Sequence, residues 1–236
     1  MNTGWVVPYA VFYIALSVVT GLVVRAFPVP ILGATQFTQD ATYALGFKLL
    51  GLLVVPLVMM RRHGVTVAQV AQDWRPTPVR MVWLVLAFAL GFCLNLGHLD
   101  RIAPVYAQST TAFLWPRLTL AVVLPLFTAG LPEELFYRGL LQTHLTQRHG
   151  AVLGVLASSL AFTAWHLPTR FLLAHGVEGE AGNALSVLVG TGIPVFVVSV
   201  AFAWLWHRHR SLPALVCAHW GIDVLPAASS LLGIVF

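Results

Sequence analysis

Three short stretches of this 236-residue chain hold residues whose types and spacing could do chemistry. "LPEELFYRGL", 131–140, carries Glu133, Glu134 and Arg138. "FTAWH" ends on His166, and "HWGID" runs from His219 to Asp223. Glu134 and Arg138 are four apart, so on a helix they meet on one face, and an ion pair there would neutralise one carboxylate and hold it in place. Glu133 points about 100° away at 3.6 residues per turn. It is left without a cation of its own. A carboxylate in that position suits a general base that takes a proton from water near neutral pH. An ion pair that only staples helices is the plainer account of Glu134 and Arg138, but it fits two adjacent glutamates inside a span less well. His219 and Asp223 are also four apart and share a face.

The surroundings of these residues decide how unusual they are. Hydrophobic residues make up 58% of the chain, charged residues 9%, and the mean hydropathy is +0.85. Soluble domains carry about 25% charged residues, so this is the composition of a membrane protein. Thirteen Lys and Arg against eight Asp and Glu give a formal charge of +5. The cations sit singly between apolar runs, which argues for topology control rather than nucleic-acid binding. Cys93 and Cys217 lie in apolar segments without metal-ligand spacing and read as small buried residues. The apolar stretch 6–24 lacks a basic flank and is long enough to span, so it reads as an anchor rather than a cleavable signal.

A span needs about 20 mostly apolar residues. On that measure the chain is an all-α polytopic membrane protein of about seven transmembrane helices, with eight as the alternative, in a single domain over 1–236. The expected spans are 8–24, 43–60, 82–96, 118–147, 151–166, 185–206 and 212–234. Segments 28–41 and 97–116 read as connectors that hold short interfacial helices. Arg61, Arg62, Arg75, Arg80, Arg148, Arg208 and Arg210 fall on one side, and Arg25, Arg101, Arg117 and Arg170 on the other. That asymmetry places the N-terminus inside.

Ionisable residues within spans cost about 2.5–3.5 kcal/mol each on insertion scales, so they mark an interior or a water-filled cavity. Glu133 lies 16 residues before the turn at His149 and Gly150, and His166 lies 16 after Gly150. At 1.5 Å per residue both sit about 24 Å from that turn, so adjacent antiparallel helices bring them to one level. His219 lies about 13 Å past Arg210 by the same rise. The depths agree if the fourth and fifth helices project about 10 Å beyond the membrane on the cytoplasmic side. Pro125, Gly130 and Pro132 distort the fourth helix, and irregular backbone at membrane depth is tolerated where it lines water. Lys48 and Asn95 read as snorkelling or interhelically bonded residues. Trp165 and Trp220 read as ordinary interface aromatics or, second, as cavity walls. His207 and His209 read as a basic flank.

Taken in order, "EELFYR", "FTAWH" and "HWGID" resemble the E-E-x-x-x-R, F-x-x-x-H and H-x-x-x-N/D motifs of the CPBP family (CAAX-processing and bacteriocin-processing, Abi), which are intramembrane glutamic endopeptidases. The resemblance covers roughly 118–232, and each motif falls on an expected span. It implies that Glu133 is the general base, that His166 positions the water, and that Glu134 supports the site with Arg138. It also implies that His219 and Asp223 face the scissile carbonyl and stabilise its oxyanion. Where some members carry Asn, this chain has Asp223. An ionised Asp only accepts hydrogen bonds, so it must be protonated, orient His219, or bind a metal. Two His and several carboxylates could hold zinc, but no HExxH is present, and a site without a cofactor is the preferred reading.

The function implied is hydrolysis of a peptide bond in or next to the membrane, near the cytoplasmic side or within the bilayer. The substrate would be a membrane-bound peptide or protein: a CAAX-like tail, a leader peptide or a C-terminal sorting anchor. The alternative is a non-proteolytic membrane binding or immunity protein that keeps the fold. A transporter is a third reading, disfavoured because all site candidates fall in the later spans with no duplicated half. Size and the absence of soluble domains suggest a prokaryotic cytoplasmic membrane.

Overall fold

The structure, a computed structural model, describes residues 3–27, 43–66, 81–174 and 176–234. The expected connector 28–41 and the arginines at 75 and 80 lie outside them. The described residues form helices and turns with no strand. Helix α1 is Val6–Ala26. Helix α2 is π-wound over Tyr43–Val54 and continues as Val55–Arg62. Helices α3, Met81–Cys93, and α4, Leu96–Gln108, form a pair bent by 56°. Then come α5, Thr111–His149, α6, Ala151–Leu173, α7, Ala184–His209, and α8, Leu212–Leu231.

Apolar side chains are turned outward and polar ones inward. Val11, Phe12, Val19 and Leu22 of α1 are exposed, as are Val189, Ile193 and Val197 of α7. Glu133, Glu134, Arg138 and Gln142 are all buried at 1% exposure or less. That inversion is what a hydrocarbon solvent selects, because only the interior can pair polar groups. The chain is therefore an integral membrane protein. Five helices are long and apolar enough to cross a membrane, or six if the bent pair is one span. The expected count of about seven was approximate in two places. The third expected span merges with the connector after it into the bent pair α3–α4. The second lies on α2, which carries Lys48 inside it and is not among the five.

Two features order the bundle around α8. The first is a close crossing with α3, where a Cβ on Gly91 would overlap the carbonyl of Ala218, and one on Gly221 the carbonyl of Phe88. Small residues let membrane helices approach to backbone contact. Asn95 Nδ2 then donates to the Ile222 carbonyl at 2.7 Å, the interhelical role expected for it. The second is the winding of α5. Thr110 caps its start by accepting from Phe113 N at 3.3 Å. Pro125 and Pro132 each lack a donor, and the helix absorbs them by widening rather than breaking. It is π-wound over Leu126–Gly130, α over Leu131–Glu133, and π-wound again over Glu134–Gln142. Such π turns are frequent at functional sites. Gly150, at φ 85°, ends α5 and turns the chain into α6. The 39 residues of α5 rise about 58 Å, well beyond a hydrocarbon core of about 30 Å. That excess supports the expected projection.

The cysteines differ from expectation. Cys93 is exposed and Cys217 half-buried. In a lipid-facing chain an apolar residue has no need of the interior, so the soluble-protein rule of buried cysteine does not carry over.

Candidate active site

Three helices bring the expected residues together, and a fourth joins them. Alpha-5 supplies Glu133, Glu134 and Arg138, α6 supplies His166, and α8 supplies His219 and Asp223. A Cβ on Gly130 would stand 3.0 Å from the Val216 carbonyl of α8. That close approach lets Glu134 reach His219. The fourth helix is α2, which supplies Lys48. Glu133, His166, His219 and Asp223 line one cavity of about 180 Å³, so the depth match between Glu133 and His166 holds. Lys48, Arg170, Glu178 and Thr191 line it as well.

Glu134 is held from two directions. Arg138 Nε lies 3.3 Å from its Oε2, the expected one-turn pair. His219 Nδ1 lies 2.7 Å from its Oε1. Arg138 is anchored in turn, donating from Nη2 to Ser199 Oγ at 3.1 Å. Its guanidinium also lies over the Phe162 ring at 4.3 Å. A carboxylate accepts only, so the His219 ring carries its proton on Nδ1. Nε2 is thereby turned to the cavity, 3.7 Å from Glu133 Oε2 and 3.6 Å from Asp223 Oδ2. Those separations exceed a hydrogen bond and leave room for an inserted oxygen.

Glu133 departs from expectation. It was read as lacking a cation of its own, but Lys48 Nζ lies 2.7 Å from its Oε1. The reading of Lys48 as a snorkelling residue is overturned by the same contact. The ammonium is turned into the bundle because a carboxylate at membrane depth is the better partner. Trp165 also differs from its preferred reading. It is wholly buried, its ring centroid 4.0 Å from that of His166, and Lys48 Nζ lies 5.4 Å from it. It therefore forms the floor beneath both residues. Trp220 instead donates to the Val122 carbonyl of α5 at 2.6 Å.

His166 has one ring nitrogen assigned by its neighbour. Nδ1 lies 2.8 Å from the Phe162 carbonyl and must donate to it. Nε2 of the neutral ring is then the nitrogen available to the cavity. His144 of α5 lies away from the cavity: its Nδ1 meets Thr3 Oγ1 at 2.7 Å. Sequence reasoning also missed lining groups outside the motifs. Arg170 and Glu178 pair at 2.8 Å, and Thr191 Oγ1 donates to the Glu178 carbonyl at 2.7 Å. One signal for Lys48 was available, since it is the chain's single lysine and lies inside an apolar run.

Residues 115–225 match the family model described as Type II CAAX prenyl endopeptidase Rce1-like. Over this segment the chain is similar to that family, in agreement with the CPBP resemblance of its motifs. No curated protein and no solved structure matches the chain. The matched segment takes in all six residues named by the motifs, from Glu133 to Asp223, but neither α2 nor Lys48. The matched family is one of membrane peptidases, which the burial of Glu133 and Glu134 in a lipid-facing bundle suits. Glu133 is engaged by the Lys48 ammonium. Among the described residues, no three His, Cys, Asp or Glu converge as ligands.

Proposed function

We propose that this protein is an intramembrane endopeptidase that hydrolyses a peptide bond in or next to the membrane by glutamate-activated attack of water. The observation that carries this reading is the convergence of Glu133, His166, His219 and Asp223 on one cavity inside an apolar bundle. At about 30 Å³ per water, about 180 Å³ admits several.

Water placed between Glu133 Oε2 and His166 Nε2 is the nucleophile. Glu133 takes its proton as the water oxygen bonds to the carbonyl carbon. With both ring nitrogens protonated, His219 donates from Nε2 to the oxyanion that forms. Collapse breaks the C–N bond, and the proton held on Glu133 passes to the leaving amine. Glu134 and Arg138 hold His219 in place. Asp223, 3.6 Å from Nε2, orients that ring rather than donating to the oxyanion. No metal takes part, a reading supported by the ammonium at Glu133.

The substrate is a membrane-bound peptide ending in a CAAX-like tail. The matched family's description favours this over a leader peptide or a C-terminal sorting anchor. With the N-terminus inside, Arg170 and Glu178 stand at the end of the bundle away from the Gly150 turn. The cavity then opens on the non-cytoplasmic half, where the expectation was cleavage near the cytoplasmic side or within the bilayer.

The test uses purified protein in detergent with fluorogenic peptides of the three substrate types. Glu133→Gln should lower turnover about a hundredfold or more, the usual size of a lost general base. His166→Ala should lower it similarly, and a chelator should leave the wild-type rate unchanged. Turnover by Glu133→Gln at the wild-type rate would end this reading.

A further inference from the structure

Glu133 presents two oxygens to the cavity, and a base that takes a proton from a positioned water must use one of them. Oε1 lies 2.7 Å from Lys48 Nζ, and Oε2 lies 3.7 Å from His219 Nε2. Among the described residues, the lysine is the only charged one that lines the cavity from the N-terminal half, and it makes the closest contact to Glu133. Its helix is fixed firmly. Tyr9 Oη donates to the Gly51 carbonyl at 2.6 Å, and Phe47 stacks on Tyr13 with ring centroids 4.3 Å apart. A Cβ on Gly51 would overlap the Tyr13 ring. Phe47 also reaches Trp165 at 6.2 Å, and Trp165 carries His166 on its face. One helix outside the matched segment thus sets the position of both the base and the residue opposite it.

We infer that Lys48 is a further positioning residue of this site: it holds Glu133 by Oε1 and so assigns Oε2 as the oxygen that takes the proton from water. This rests on the reading of Glu133 as general base. The lysine touches neither water nor substrate in this role. It acts through Glu133, by restricting the carboxylate to one rotation. A carboxylate freed from it can turn away from His166 and His219. The groups facing Glu133 are Lys48 from α2, His166 from α6, and His219 and Asp223 from α8, with Arg170 further along the same cavity. Among these Lys48 alone is within hydrogen-bonding distance.

The experiment compares Lys48→Met and Lys48→Arg with wild type in detergent, using a cleaved peptide. Lys48→Met should lower kcat about tenfold or more with KM within about twofold, the pattern of a lost transition-state interaction. Lys48→Arg should recover most of kcat, because a guanidinium restores the donor. In Glu133→Gln, adding Lys48→Met should lower the residual rate no further. A loss confined to KM, or additive losses in the double variant, would overturn the inference. A second readout needs no turnover, since the chain has one lysine. Its labelling by a small amine-reactive reagent, followed by mass spectrometry, should speed up severalfold in Glu133→Gln. An unchanged labelling rate would overturn the pairing itself. Faster labelling in a protein that cleaves nothing would leave the pairing standing and sink the peptidase reading instead.

Discussion

His219 Nδ1 stands 2.7 Å from Glu134 Oε1, although 85 residues separate them in the chain. Glu134 also pairs with Arg138 at 3.3 Å, and both members are buried. The second glutamate of the pair is therefore a junction between α5 and α8 rather than a spare base.

Removing one side of that junction leaves a buried charge alone. Breaking a buried pair costs about 3–5 kcal/mol. Arg138→Met should lower the thermal midpoint in detergent by several degrees and abolish turnover together. Glu134→Gln, which keeps an acceptor for His219 Nδ1, should cost less stability than Arg138→Met while still lowering turnover. Equal midpoints for Arg138→Met and wild type would refute a structural role for the pair.

Asp223 gives a sharper contrast. If it orients His219 through a gap of 3.6 Å, an amide of the same shape can do so too. Asp223→Asn should keep turnover within about tenfold of wild type, whereas Asp223→Ala should lose about a hundredfold. The reverse order, with Asn as damaging as Ala, would mean that the carboxylate charge itself is required.

The crossing of α3 and α8 has no slack. A side chain at Gly91 or Gly221 meets backbone carbonyls rather than a movable side chain. Gly221→Val should therefore displace α8 and the two site residues it carries. The expected result is lost turnover with a lowered melting midpoint. Gly97, where a Cβ meets nothing, is the control, and Gly97→Ala should change neither.

Sidedness can be read by labelling in intact cells, after Cys93 and Cys217 are replaced by Ser. Cysteine placed at Glu180 should react with an impermeant maleimide added outside, and cysteine at Arg148 only after permeabilisation. The opposite pattern would put the N-terminus outside and the cavity mouth on the cytoplasmic half.

Local spacing was the legible part of this site. The one-turn pair Glu134–Arg138 follows from helix geometry alone, and the shared depth of Glu133 and His166 follows from counting residues on either side of Gly150. The all-helical membrane fold was legible from composition, because a bilayer leaves few other solutions. Lys48 was not legible, because the snorkelling argument considers its own span and nothing packed against it. Its direction depends on where α2 sits against α5, which is a tertiary fact. The contact of Glu134 with His219 was hidden for the same reason. The prolines did announce an irregular α5, but how a helix absorbs a missing donor depends on what surrounds it. Trp165 was misjudged by type, since tryptophan is common at membrane surfaces and its spacing says nothing of burial.

The lysine on α2 also bears on how this protein can be re-engineered. Residues 115–225 look like a portable unit when chains are compared, and a designer would be tempted to graft them onto a foreign set of leading helices. Such a chimera would carry every motif and still hold its base by nothing. Transplanting the activity means carrying residues 43–62 along with the motifs, together with the tyrosines of α1 that grip them.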